Sequence, residues 1–120
     1  MHDANMFLEK RIHPRVAIKI PLRYRVIDDQ KLLDTILDRK KKEKMSVTLD
    51  VSLGGLYLVA DEDIPVSSIL RLDFDIPGHT HVITTFTEVV RNTKNGVGLR
   101  FLAMSEMDAN ALKNFITSKT

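Results

Sequence analysis

The chain has 120 residues, 43% hydrophobic and 28% charged, which suits one globular domain with a real core rather than a disordered chain. Its net charge of +2 is too small for bulk nucleic-acid binding, and with no cysteine it has neither a disulfide framework nor a cysteine-ligated zinc. No apolar run approaches the roughly 20 residues of a membrane-spanning helix, and "MHDANMFLEK" lacks the basic-then-apolar order of a signal peptide, so no membrane insertion and a cytoplasmic location are expected. Charge is unevenly spread. Residues 1–25 carry six Lys/Arg against two acids, whereas residues 46–90 carry one against seven. A local anion site near the N-terminus follows from that imbalance.

Residues 1–9 read as a flexible lead-in, and residues 10–120 as one domain. In "EKRIHPRVAIKI" (9–20), Lys10, Arg11 and Arg15 flank His13 and Pro14, and Pro14 keeps the segment out of a helix. This arm is placed at the mouth of a β-barrel. From Val16 the pattern has period two: Val16, Ile18, Ile20, Leu22, Tyr24 and Val26 alternate with Ala17, Lys19, Pro21, Arg23 and Arg25. That is a strand with one buried face, with Pro21 at an edge or bulge.

Residues 28–45 form a charged insert. Leu32, Leu33, Ile36 and Leu37 recur at helical spacing, so the insert is a short amphipathic helix or a partly ordered loop. "RKKKEK" (39–44) reads as its solvated end, since no aromatics interleave with the lysines.

Short strands follow. "SVTLDV" turns Val47, Leu49 and Val51 inward, and "GLYLVA" resumes after the "SLGG" turn. Asp61, Glu62 and Asp63 read as a solvated loop before Pro65. "ILRLDFDI" buries Leu70, Leu72, Phe74 and Ile76, and "PGHTH" is a turn. "VITTFTEVV" is a long β-branched strand, Asn95-Gly96 marks a hairpin, and "VGLRF" turns Val97, Leu99 and Phe101 inward. About six strands at turn-punctuated spacing make a small antiparallel barrel or sandwich. The tail changes period. Ser105 is an N-cap with Asp108 three residues on, and Met107, Ala111, Leu112, Phe115 and Ile116 form one helical stripe suited to covering a barrel opening.

Two stretches carry chemistry. Arg11 and Arg15 present guanidinium forks, which grip phosphate oxygens and the O6/N7 edge of guanine and stack on base faces. Asp50, Ser52, Gly54 and Gly55 fall in "TLDVSLGGLYL". Strand alternation puts Asp50 and Ser52 on one face, where a carboxylate and a hydroxyl can read the N1–H and N2 edge of guanine. The glycines supply positive φ or let a ligand approach the backbone. Taken alone, either stretch is as well explained as a basic surface patch or an ordinary turn. His79 and His81 form H-x-H without a third ligand nearby, so no metal is expected. No nucleophile with a neighbouring base and no paired carboxylates stand out, so no catalytic residues and no enzyme activity are expected.

The two stretches together, "RIHPR" as R-x-x-x-R and "DVSLGG" as D-x-S-x-x-G, with "GVGLRF" as a glycine-spaced closing strand, resemble the PilZ domain family of cyclic di-GMP receptors. The resemblance covers roughly residues 9–116, and the charged insert is its main departure. It implies a stand-alone, mainly β protein: a six-stranded antiparallel barrel with a C-terminal α-helix. It implies that Arg11 and Arg15 grip phosphates and guanine edges, that Asp50 and Ser52 contact a guanine, and that Gly55 shapes the turn. Lys10, before the first arginine, implies two intercalated ligand molecules rather than one. Arg91 matches a position beside a base. The resemblance implies no cofactor, cyclic di-GMP as ligand, and a partner effector protein that receives the signal as the N-terminal arm is ordered. The competing readings are a PilZ-fold protein–protein interaction module that binds no nucleotide, and an OB-type nucleic-acid barrel. The latter needs stacking aromatics, and the chain has five Phe, two Tyr and no Trp.

Overall fold

The computed structural model describes residues 14–27 and 43–120. Lys10, Arg11, the 1–9 lead-in and most of the 28–45 insert, with its proposed helix, lie outside the described residues. Among the described residues six strands, β1 (Pro21–Ile27), β2 (Lys44–Val51), β3 (Gly55–Val59), β4 (Ile69–Phe74), β5 (Ile83–Thr93) and β6 (Gly96–Ala103), precede one helix, α1 (Glu106–Lys119). All pairings are antiparallel, and the order β1-β2-β3-β6-β5-β4 closes on itself because β4 pairs with β1. Closure leaves none of these six strands with a free edge to template aggregation.

Alternation places most of the interior as the sequence suggests. Leu22 and Tyr24 of β1, Leu70, Leu72 and Phe74 of β4, and Val97 and Leu99 of β6 are buried. Pro21 is tolerated because it is the first residue of its strand, where the missing N–H costs least. The N-terminal part of the alternating run is a departure. The strand begins at Pro21, not Val16, and residues 16–20 approach it as an extended segment held by one bridge between Val16 and Val51.

A bulge in β2 accounts for this. Its register against β3 shifts between Thr48 and Asp50, which turns Leu49 outward (41% exposed) and buries Thr48 completely. The expected inward set of Val47, Leu49 and Val51 therefore holds for Val51 but not for Leu49. Thr48 replaces a ladder rung with its side chain. Its hydroxyl donates to the Ile18 carbonyl (2.7 Å) and accepts from the Ile20 N–H (2.9 Å), and its own N–H donates to the Ile20 carbonyl (3.1 Å). Thr85 and Thr87 are also fully buried, their hydroxyls donating to the Ala103 and Leu70 carbonyls, as interior polar groups require.

The Lys94–Asn95 hairpin joins β5 to β6, with Thr93 opposite Gly96. The glycine is required by space: a Cβ there would overlap the Leu58 carbonyl. In α1, Ser105 accepts a hydrogen bond from the Asp108 N–H (3.1 Å), the N-cap read from sequence. Leu112, Phe115 and Ile116 join the barrel residues in one core cluster, each burial contributing about 1.5–3 kcal/mol. Met107, assigned to the same stripe, is 62% exposed. His79 Nε2 lies 3.1 Å from Asp108 Oδ1 and ties the β4–β5 link to the first turn of α1. Its partner in the H-x-H pair, His81, stands edge-on at 5.8 Å. Among the described residues no group of three or more His, Cys, Asp or Glu gathers to hold a metal, and no helix is long and apolar enough to cross a membrane.

Candidate functional site

The extended segment before β1 places Arg15. Val16 and Val51 exchange both backbone hydrogen bonds (2.9 and 3.0 Å), and the Thr48 hydroxyl pins the chain two and four residues further on. From this anchored start the Arg15 guanidinium donates to Asp50 Oδ1 at 2.9 Å. Two stretches 35 residues apart thus meet in one ion pair on the outer face of the barrel. Arg15 is 61% exposed and Asp50 31%. An ion pair so open to water contributes about 0–1 kcal/mol, so little is lost when the arginine turns to another anion.

Ser52 is buried, and its hydroxyl is engaged within the turn: it accepts from the Gly54 N–H (3.2 Å) and reaches the Gly55 carbonyl (3.3 Å), to which the Ser52 N–H also donates (2.8 Å). The turn closes tightly around it. Of the two roles expected of the glycines, positive φ does not describe Gly55. Its φ is negative, and a Cβ would collide with the Leu99 carbonyl of β6. Gly55 lets β3 and β6 meet. Gly54 is exposed, and a Cβ there would lie in ordinary contact with the Ser52 hydroxyl.

Arg91 joins the same wall through register. Asp50 opposes Tyr57, Tyr57 opposes Gly98, and Gly98 opposes Arg91, a row that crosses β2, β3, β6 and β5. Directly opposed residues share a face. Arg91 lies across the bare backbone of Gly98, its Nε 3.6 Å from where a Cβ would be, and its guanidinium carbon is 6.0 Å from the Tyr57 ring centre, at the outer limit of a cation–π contact. The Tyr57 hydroxyl is hydrogen-bonded to Thr93, which fixes the ring. The wall therefore offers a cation and a carboxylate at one end, an aromatic ring at its centre and a second cation at the other.

Tyr57 and Gly98 were not singled out from sequence. One signal was present: Leu56 and Leu58 face inward, so the aromatic between them must face out. Which strands lie beside it was not legible.

Against known proteins, the PilZ domain family model matches residues 9–118. The chain belongs to the PilZ domain family. PilZ domains are in general receptors or adaptors for cyclic di-GMP, and some do not bind it. Similar solved structures share the fold at low sequence identity. The PilZ domain of CeSA from a cellulose-synthesizing bacterium superposes with a TM-score of 0.61 at 10% identity, covering 89% of this chain and 99% of that one. The Bacillus subtilis inhibitor of motility MotI/DgrA gives 0.66 at 18% identity over 88% of this chain, which spans about half of that protein (49%). A tetrameric PilZ protein of Xanthomonas campestris gives 0.58 at 9% identity, covering 88% and 87%. A search of the curated proteins finds no match.

A second polar cluster lies away from this wall. Glu62, read as part of a solvated loop, accepts hydrogen bonds from the Tyr24 hydroxyl (2.7 Å) and from Lys44 Nζ (2.7 Å). Burial disfavours the Glu62 carboxylate, but the hydrogen bonds from Lys44 and Tyr24 outweigh it and hold its pKa below the ordinary value. The Tyr24 phenol is pushed well above its usual range, first by burial and then by its bond to Glu62. Asp63 accepts from the Asn92 side-chain amide at 2.9 Å, so this loop too is tied to the barrel.

Proposed function

We propose that this chain is a cyclic di-GMP receptor whose ligand binds on the outer wall at Arg15, Asp50 and Arg91, and whose ordered N-terminal arm then signals to a partner effector protein. The Arg15–Asp50 ion pair supports the reading most directly. It unites the two halves of the split motif in a contact that a ligand phosphate can replace at small cost. A carboxylate left free by that exchange accepts two N–H donors side by side, as the guanine N1/N2 edge presents them. Arg91 and the Tyr57 face supply a cation and a stacking surface for the second base. Lys10 and Arg11 belong to the same reading. Arg11 adds a second guanidinium roughly 10–13 Å along an extended chain, and Lys10 favours two intercalated ligands. Ser52 acts from within the turn by holding the Asp50-to-Gly55 backbone in shape.

Calorimetric titration with cyclic di-GMP, with GTP and single-stranded DNA as controls, tests the reading. Binding is expected for cyclic di-GMP alone. Arg11→Ala and Arg15→Ala are each expected to weaken it at least tenfold, which needs only about 1.4 kcal/mol. Unchanged affinity in both variants, or no binding by the wild type, leaves the interaction module without nucleotide as the better account.

A further inference from the structure

The opposite wall carries a pairing that the nucleotide site does not use. Arg25 of β1 stands directly across from Arg71 of β4, Arg71 directly across from Phe86 of β5, and Phe86 across from Ala103 of β6. Two like charges in direct cross-strand register repel, and a fold free to choose avoids them. The Nε atoms of both arginines are buried from water with no hydrogen-bond partner among the described residues. Arg71 is paired with Asp73: its Nε comes within 3.3 Å of Asp73 Oδ2 without being aligned to donate, and its Nη2 donates a long bond to Asp73 Oδ1 (3.5 Å), which also accepts from Thr84 (2.6 Å). Among the described residues Arg23 and Arg25 enter no ion pair. Beside this cationic strip Phe86 is 40% exposed and Leu102, at the bulge next to Ala103, is 44% exposed.

We propose that this wall, centred on Arg25, Arg71 and Phe86, is the docking surface for an acidic protein segment that carries an apolar side chain. Carboxylates relieve the Arg25–Arg71 repulsion and accept from the outer N–H groups of the two guanidiniums, whose Nε atoms are themselves closed to solvent. The apolar residue covers Phe86 and Leu102. Aromatic and arginine side chains are the groups that most often anchor protein interfaces. A nucleic-acid strand fits less well, because it needs a continued stripe of cations, and this strip is interrupted by Asp73 and flanked by the Arg100–Glu88 pair. The proposal supplies the partner surface for the receptor reading but does not depend on nucleotide binding.

The test uses the full chain, isotopically labelled, titrated with a blocked synthetic peptide alternating glutamate and leucine. Controls are the same peptide with lysine for glutamate, and oligothymidine. The expected result is saturable shifts of the Arg25 and Arg71 Nε–H resonances and the Phe86 amide with the acidic peptide only. Arg71→Glu and, separately, Phe86→Ser should each weaken that binding by about tenfold or more while cyclic di-GMP affinity stays at the wild-type value. Several results overturn the proposal: no shifts at these groups, shifts with oligothymidine alone, or mass doubling in light scattering with shifts that need no peptide, which assigns the wall to a second copy. Loss of nucleotide affinity in folded Arg71→Glu also overturns it, since the walls are then not separate. Peptide binding without any cyclic di-GMP binding by the wild type upholds this surface and defeats the receptor reading instead.

Discussion

The two outer walls of the barrel handle charge in opposite ways. On one, the row Asp50–Tyr57–Gly98–Arg91 separates its charges by an aromatic and a glycine, and Arg15 pairs with Asp50 across the top. On the other, Arg25 and Arg71 face each other directly, with buried Nε atoms that find no acceptor among the described residues. The same closed sheet supports both because the inward residues of every strand supply the stability. A wall with matched charges gains little from its ion pair in water. A wall that sets two arginines side by side, with only Arg71 paired to a carboxylate, costs the free chain something, and the docked carboxylate proposed above would relieve it. Both are therefore cheap to rearrange, for different reasons.

The comparison can be broken most severely beneath the first wall. Gly55→Ala should destabilise the protein by at least about 3 kcal/mol and lower its melting temperature strongly, because the new methyl overlaps the β6 backbone at Leu99. A melting temperature near the wild-type value would show that β3 and β6 can part without loss.

Thr48→Val comes next. It strands the Ile18 carbonyl and the Ile20 N–H in the interior, a cost of about 1–3 kcal/mol in chemical denaturation. Because Thr48 also pins the segment that carries Arg15, nucleotide affinity should fall with stability, whereas the Arg25–Arg71 wall should keep its peptide affinity.

Glu62 and Tyr24 make stability depend on pH at the two extremes, a smaller effect than the two above. Glu62 has a folded pKa below its unfolded value, so its contribution is present above the unfolded pKa and fades as pH falls through the folded one. Tyr24 is raised, so its contribution is present below the unfolded pKa near 10 and fades as pH climbs beyond it. Glu62→Gln should flatten the acid limb of a stability–pH curve. An unchanged acid limb would remove Glu62 from this account.

The smallest effect separates the two walls most directly. Arg25→Thr should stabilise the free protein by about 0.5 kcal/mol by removing the like-charge pair, while Arg15→Ala should leave stability within about 0.5 kcal/mol of wild type. Denaturant titrations of both variants at low and high salt check this. Destabilisation by Arg25→Thr would show that the arginine pair is structurally satisfied.

Much of this was legible in residue order. Period-two runs located the strands and most of the inward residues, Ser105 with Asp108 marked the helix start, and the pairing of "RIHPR" with "DVSLGG" pointed to the family. The exceptions have a common cause. Leu49 and Val47 looked inward, but a bulge at Leu49 exchanged it for Thr48. Glu62 looked solvated, but the buried Tyr24 ring reaches it from 38 residues away. Gly55 looked like a conformational glycine, but a neighbouring strand makes it a spatial one.

Sequence alone determined most of the elements and most of their buried faces, because alternation and capping are local and need only a few neighbouring residues. Tertiary structure decided which side chains share a wall. Closure of the barrel sets β1 beside β4 and β3 beside β6, and that register brings Arg15 to Asp50, Arg91 to Tyr57, and Arg25 to Arg71. No local pattern encodes those neighbours, since cross-strand register depends on turns, bulges and pairing partners tens of residues apart.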